Sequence, residues 1–376
     1  MGCCAWPGAA AAQATGELPV RLAGEIPRST LLDVSADGKR LLVFAWSQSL
    51  RGFGWQGKSD PKKAPGGSAN GPVRIVDLES WRYTFSMSAP RLPRGGFFAN
   101  GESFYLTGLG NPGEIYHAIT DLRTGRTDER RIRSDDQAAW QYLPIRDRQL
   151  LAMGTASGPG GGTRILARVE FPTFREIIRS NYCPPTQTQS PDDTYEADYA
   201  ISGDRRVFFA NCGNQVAYRG TEDLAFQWTR PEGNVREVRI LTVGVSADGA
   251  YAAGFLADTR GVEESKRHYV VLWDGRRGEK VGRFEAFAVD KVALSANGKL
   301  VACGLPNPLP GTRRAVEPTV MIYDAASGRK VAALVQDRFA GGSHQFLVAH
   351  IDAIYFTPDG QHLVTSGGTN VKVWQI

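Results

Sequence analysis

The sequence predicts an all-β protein folded as a single seven-bladed β-propeller, each blade a four-stranded antiparallel sheet. Three observations predict it. A hairpin unit, two alternating apolar strands joined by Asp-Gly or Asn-Gly, recurs along the chain. A third strand that ends in Asp and a Gly or Ser turn follows the hairpin in most copies. No stretch carries sustained helical periodicity, and Gly and Pro are abundant, at 43 and 21 of 376 residues.

The copies align on the hairpin turn. Leu31 to Phe44 turns at Asp37-Gly38, and Phe97 to Leu106 turns at Asn100-Gly101. Trp140 to Met153 is a weaker copy with Asp147 near its turn, and Tyr199 to Ala210 turns at Gly203-Asp204. Val243 to Phe255, Val292 to Gly304 and His350 onward turn at Asp248-Gly249, Asn297-Gly298 and Asp359-Gly360. Third strands with their turns stand at Val73 to Ser80, Tyr116 to Gly125, Tyr269 to Gly278 and Val320 to Gly328. Five copies are clear. The third (140–178) and fourth (196–238) follow from phase, so the count of seven rests on those two.

The last copy stops after its third strand, at Gln375-Ile376. Its missing fourth strand is expected from Gly16 to Ala23, which precedes the first blade and has no other sheet to join. That pairing closes the ring and removes two exposed edges. The propeller then takes residues 15–376 as one cooperative unit. Blades of roughly 50 residues exceed the 40–45 of the shortest such repeats, so several carry insertions.

His350 ahead of the last hairpin, Trp374 closing its third strand and the pair Trp273-Asp274 resemble the WD-repeat family. The resemblance implies a scaffold that binds proteins or peptides without catalysis of its own. It also implies a structural role for His350, although the Asp that usually partners this His is absent from the turn at Gly367 to Asn370.

The start, MGCCAWPGAAAAQA, is small and apolar and ends in Ala12-Gln13-Ala14, a cleavage-site pattern. Residues 1–14 read as the tail of a secretory signal, which places the protein in the periplasm or outside the cell. A lipid-anchored form through Cys3 and a plain Ala-rich leader are the alternatives. Export would favour a disulfide between Cys183 and Cys212, which fall on loops of one face; two separate thiols are the other reading. Cys303 follows an apolar strand and reads as a buried small hydrophobe. Without a Cys-x-x-Cys pair, no thiolate metal site is expected.

A formal charge of +5, from 44 basic and 39 acidic residues, is modest and dispersed. The basic run at Glu129 to Arg133 alternates as a solvated outer strand would. No basic stripe carries interleaved aromatics, so nucleic acid is not an expected partner. No transmembrane segment is expected, and a monomer is.

The insertions sort to one side. Hairpin turns are tight, whereas the long connections follow second or fourth strands: Ser47 to Pro72, Gly154 to Thr163, Arg179 to Glu196, Asp258 to His268, Gly304 to Pro318 and Gln336 to Ala349. Loops carried on a rigid scaffold are where binding groups gather. The first insertion is richest, and Trp46, Arg51, Phe53, Trp55 and Lys58 are the candidate partner-binding residues, as aromatics beside cations.

Gly52 to Ser59 fits the phosphate-loop pattern, but the following DPKKAPGGSANGP cannot form the helix that this chemistry requires. His117, His268, His344 and His362 are scattered, and Asp192, Asp193 and Glu196 read as solvation of a polar loop. The expectation is a non-enzymatic binding protein with no catalytic residues, metal or cofactor. A propeller enzyme, either a lactonase-like hydrolase or a quinoprotein-type oxidoreductase, and a glycan- or envelope-binding module are the alternatives.

Overall fold

The computed structural model describes residues 18–45, 71–133, 140–156, 163–183, 198–232, 238–258, 267–286, 289–305, 319–336, 351–367 and 370–376. The first strand, β1 (Arg21–Ile26), precedes blade 1, formed by β2 (Ser29–Val34), β3 (Arg40–Ala45), β4 (Pro72–Asp77) and β5 (Arg82–Ser88). Blade 2 is β6 (Arg91–Phe97), β7 (Ser103–Leu109), β8 (Glu114–Asp121) and β9 (Thr127–Arg133). Blade 3 is β10 (Gln141–Pro144), β11 (Gln149–Ala156), β12 (Thr163–Glu170) and β13 (Arg175–Asn181). Blade 4 is β14 (Tyr199–Ile201), β15 (Val207–Cys212), β16 (Gln215–Gly220) and β17 (Phe226–Pro231). Blade 5 is β18 (Val238–Val245), β19 (Tyr251–Asp258), β20 (Arg267–Asp274) and β21 (Lys280–Glu285). Blade 6 is β22 (Lys291–Leu294), β23 (Leu300–Gly304), β24 (Thr319–Asp324) and β25 (Lys330–Val335). Blade 7 is β26 (Ile351–Phe356), β27 (His362–Gly367) and β28 (Asn370–Gln375).

Each blade is a four-stranded antiparallel meander, and the fourth strand of blade 7 is β1. Leu22 stands opposite Trp374 and Ile26 opposite Val371. The expected segment, 16–23, needs correcting: the strand starts at Arg21 and continues past Ala23 to Ile26. Gly24, just past the expected segment, is a packing position within the strand, because a Cβ there would lie 2.3 Å from the Trp81 ring.

Buried apolar side chains among the described residues form seven clusters, one between each pair of neighbouring blades. Leu42, Phe44 and Ile75 of blade 1, for instance, meet Phe97, Phe104 and Leu106 of blade 2. Val364, Val371 and Val373 of blade 7 meet Leu41 and Val43 of blade 1. The middle strands are therefore buried on both faces, which explains near-continuous apolar runs such as RLLVFA and YVVLW. Outermost strands are largely exposed, as the basic β9 is.

The hairpin turns share one hydrogen-bond device. Ser35, Ser202, Ser246, Ser295 and Thr357 each donate a hydroxyl to the Asp or Asn two residues on. Gly38, Gly249, Gly298 and Gly360 then take the left-handed conformation. Blade 4 departs from the pattern and from the expected Gly203-Asp204 pivot: its left-handed residue is Arg205, at φ 63°.

Position 350 lies outside the described residues, so the WD-type histidine is not placed. A different polar chain ties blades 6 and 7. Trp374 Nε1 donates to Thr365 Oγ1 at 2.9 Å, Thr365 donates to Gln336 Oε1 at 2.8 Å, and Gln336 Nε2 donates to the Asn370 carbonyl at 2.9 Å. Gln336 is thus an anchored, buried residue rather than the start of a loop.

Candidate functional site

Inner strands of all seven blades surround a central channel of about 1140 Å³. Near the tight-turn end, Arg205 of blade 4 forms an ion pair with Asp33 of β2 in blade 1, and both side chains are almost wholly buried. Two blades lie between these residues on one side of the ring and three on the other, so the pair spans the channel and obstructs that end. Asp33 Oδ2 also accepts the Phe97 amide at 2.7 Å. Residue 96 is Gly because a Cβ there would lie 2.4 Å from the same oxygen. Burial pushes the Asp33 carboxyl pKa above its ordinary range, against the pull of Arg205.

Tyr355 lies beside this pair. Its surface is 37% exposed, yet it faces the enclosed channel rather than bulk water. Desolvation accordingly raises its phenol pKa, as does the Asp33 charge.

Toward the loop end the wall becomes polar. Asp198 accepts from the Thr242 hydroxyl and from the Val243 amide at 3.0 Å, and Lys291 Nζ is 3.7 Å away. Tyr199 donates to Gln141 Oε1 at 3.0 Å, joining blades 4 and 3. Arg94, Arg164, Tyr182 and Asp352 complete this region. The Tyr199 phenol is pushed up to about 12, mainly by desolvation, with Arg94 opposing the rise.

Cys183 and Cys212 are joined by a disulfide with Cα atoms 5.7 Å apart. It links the residue two beyond β13 to the end of β15, so it fastens blade 3 to blade 4 on the loop face. Cys303 is fully buried, and desolvation drives its thiol pKa up. Trp46, Arg51, Phe53, Trp55 and Lys58 lie outside the described residues. Their segment leaves β3 at Ala45 and returns to β4 at Pro72, both ends on the loop face. Asp192, Asp193, Glu196 and His344 also lie outside the described residues. His268 is the second residue of β20 and stacks on Phe255 at 5.4 Å.

His117 is a core residue. Its Nδ1 is 2.6 Å from the Tyr105 hydroxyl, and its ring lies against Tyr142 and Phe174. Desolvation lowers its pKa to about 4.

Sequence reasoning missed Asp33, Arg205, Arg94, Arg164 and Tyr182. Two signals were present. Asp33 is an acid directly after two leucines in the inner strand STLLDV, and Arg205 stands where five sister turns carry Gly. Arg94 comes from blade 2 and Arg164 and Tyr182 from blade 3, and they have no shared sequence mark.

Fold and site define the class: a seven-bladed β-propeller whose charged channel is obstructed at one end. No family model matches the chain. The solved structures it resembles include the β-propeller domain of Myceliophteria thermophila Cps50 (Swd1), with TM-score 0.58 and 13% identity over 94% of this chain and 100% of that one. They also include Kuenenia stuttgartiensis hydrazine synthase, with TM-score 0.55 and 14% identity over 93% and 96% of the two chains. Identities this low show the fold alone. A curated protein, the dihydroxy-acid dehydratase of Chromohalobacter salexigens, is 26% identical over 157 residues. That stretch is 42% of this chain and spans only 26% of that protein, and it establishes no family.

Proposed function

We propose that this chain is a non-enzymatic binding protein that works outside the cytoplasm and seats a protein or peptide partner on its loop face, over the channel mouth. The observation that carries the reading is the two-ended character of the ring. Tight turns and the Arg205–Asp33 pair occupy one end, whereas the strand ends from which the long insertions leave share the other with the mouth residues Lys291, Asp198 and Asp352. A rigid ring presenting polar groups beneath long loops suits recognition of an inserted segment. The Cys183–Cys212 disulfide supports an oxidising compartment. The neighbours in fold include both a Swd1 propeller and an enzyme, hydrazine synthase, so the fold does not choose between binding and catalysis.

The test is capture from envelope extract by the immobilised full chain. Lys291→Glu and Asp352→Lys at the mouth are expected to abolish capture. Lys39→Glu and Lys299→Glu, on exposed residues of the tight-turn face, are expected to leave it intact. The reverse pattern refutes the assignment of the binding face.

A further inference from the structure

Between blades 3 and 4 the channel extends outward into a crevice. In most of the ring, inner strands supply the wall. Here Met153 and Gly154 of β11, Arg164 of β12 and Tyr182, just beyond β13, reach the cavity as well. The inner strand here, β10, has four residues, whereas β11 and β12 behind it have eight each and extend past it. Trp140 lies on the other face of blade 3, beside the cluster shared with blade 2, and against Gly154, where a Cβ would sit 2.5 Å from the indole.

Tyr182 carries the argument. It is 3% exposed, and its hydroxyl has no hydrogen-bond partner among the described residues. A buried polar group left unsatisfied is uncommon and points to a missing partner. The residue is held on both sides, since its amide donates to the Arg164 carbonyl at 3.0 Å and its neighbour Cys183 is disulfide-bonded. The charges of Arg164 and of the buried Arg219 act on Tyr182, and the Arg94 charge acts on the neighbouring Tyr199. Arg94 forms no hydrogen bond or ion pair among the described residues, and it is exposed to the channel. The nearby acid, Asp198, is already engaged by Thr242, Val243 and Lys291.

We propose that this crevice binds a carboxylate carried on an apolar stem of the partner peptide, with the Tyr182 hydroxyl donating to one carboxylate oxygen and Arg94 and Arg164 supplying the charge. The proposal rests on the loop-face reading above. Desolvation raises the Tyr182 phenol pKa, so it stays a protonated donor at physiological pH. Met153 suits the apolar stem. A chain terminus and an Asp or Glu side chain both present this chemistry.

Three fluorescent degenerate hexapeptide pools test it by polarisation against the full chain. One ends in Phe with a free carboxylate, one is the same pool amidated, and one is amidated with Glu beside Phe. Carboxylate-bearing pools are expected to bind at least about ten-fold more tightly than the neutral pool. Preference for the first over the third identifies a chain terminus, and the reverse identifies a side chain. Tyr182→Phe and Arg94→Gln are each expected to weaken binding by about five- to ten-fold. Arg206→Gln on the opposite face should have no effect. Tyr182→Phe keeps the ring, and Arg94 is exposed, so thermal melting should show both variants folded. Equal binding of the neutral pool, or indifference to both substitutions, overturns the proposal. So does failure of every carboxylate pool to bind at about 1 mM. If the mouth variants still lose capture in that event, the crevice assignment falls and the loop-face reading stands.

Discussion

Residues that break the repeat are those with individual roles. In the turns between third and fourth strands, Gly125, Gly278 and Gly328 adopt positive φ, whereas Trp81, Phe174 and Leu224 hold the same position with side chains. Each side chain has packing to offset the strain: Trp81 against Gly24, Phe174 against His117, and Leu224 buried between blades 3 and 4. Arg205 is the hairpin counterpart, held by Asp33. Removing one member of a buried pair leaves a lone buried charge. Asp33→Asn is therefore expected to destabilise the fold by about 3–5 kcal/mol, with much of the loss recovered when Arg205→Met is added. Denaturant unfolding of both variants checks this. His117 predicts a pH dependence. Its folded pKa of about 4 lies below the unfolded value of 6.5, so the unfolded state binds a proton that the folded state does not. Stability is full above pH 6.5 and falls as pH drops toward 4, by on the order of 2 kcal/mol. His117→Gln should flatten that part of the stability–pH curve.

Among the elements, β1 and the disulfide carry the clearest expectations. Deleting residues 18–26 exposes the edge of β28, and Leu22→Asp places a charge opposite Trp374. Each is expected to lower stability by several kcal/mol, a large share of any domain's margin, and to promote association through the open edge. Unfolding midpoints and light scattering read the two effects. The Cys183–Cys212 link spans 29 residues, and replacing both with Ser is expected to cost about 3–4 kcal/mol through the unfolded chain's regained freedom. Seven blades, their turns and the closing strand were legible because each rests on a local, repeated pattern. The limits of β1 were not, since Gly24, inside the strand, is set by a contact with Trp81, 57 positions away. The site was harder to see. Tyr182, Arg94 and Arg164 belong to blades 2 and 3, and Arg164 and Tyr182 reach the cavity from behind the short β10.

At the scale of the whole molecule, function divides between the two ends of the ring. Alanine at Phe53 and Trp55 is expected to weaken partner binding by about 1–2 kcal/mol each, with the melting temperature unchanged. Unfolding of either variant would make them packing residues. The closure has a consequence of its own. Arg21 Nε donates to Gln375 Oε1 at 2.6 Å, across 354 positions of sequence. On the ribosome β1 emerges early and its partner β28 last, so β1 must wait through the synthesis of every blade between them. At about 5–20 residues per second that interval is tens of seconds. For that time the nascent chain carries an unmated strand and an incomplete ring, a state in which a passing chaperone or the edge of another nascent chain competes with the protein's own final strand.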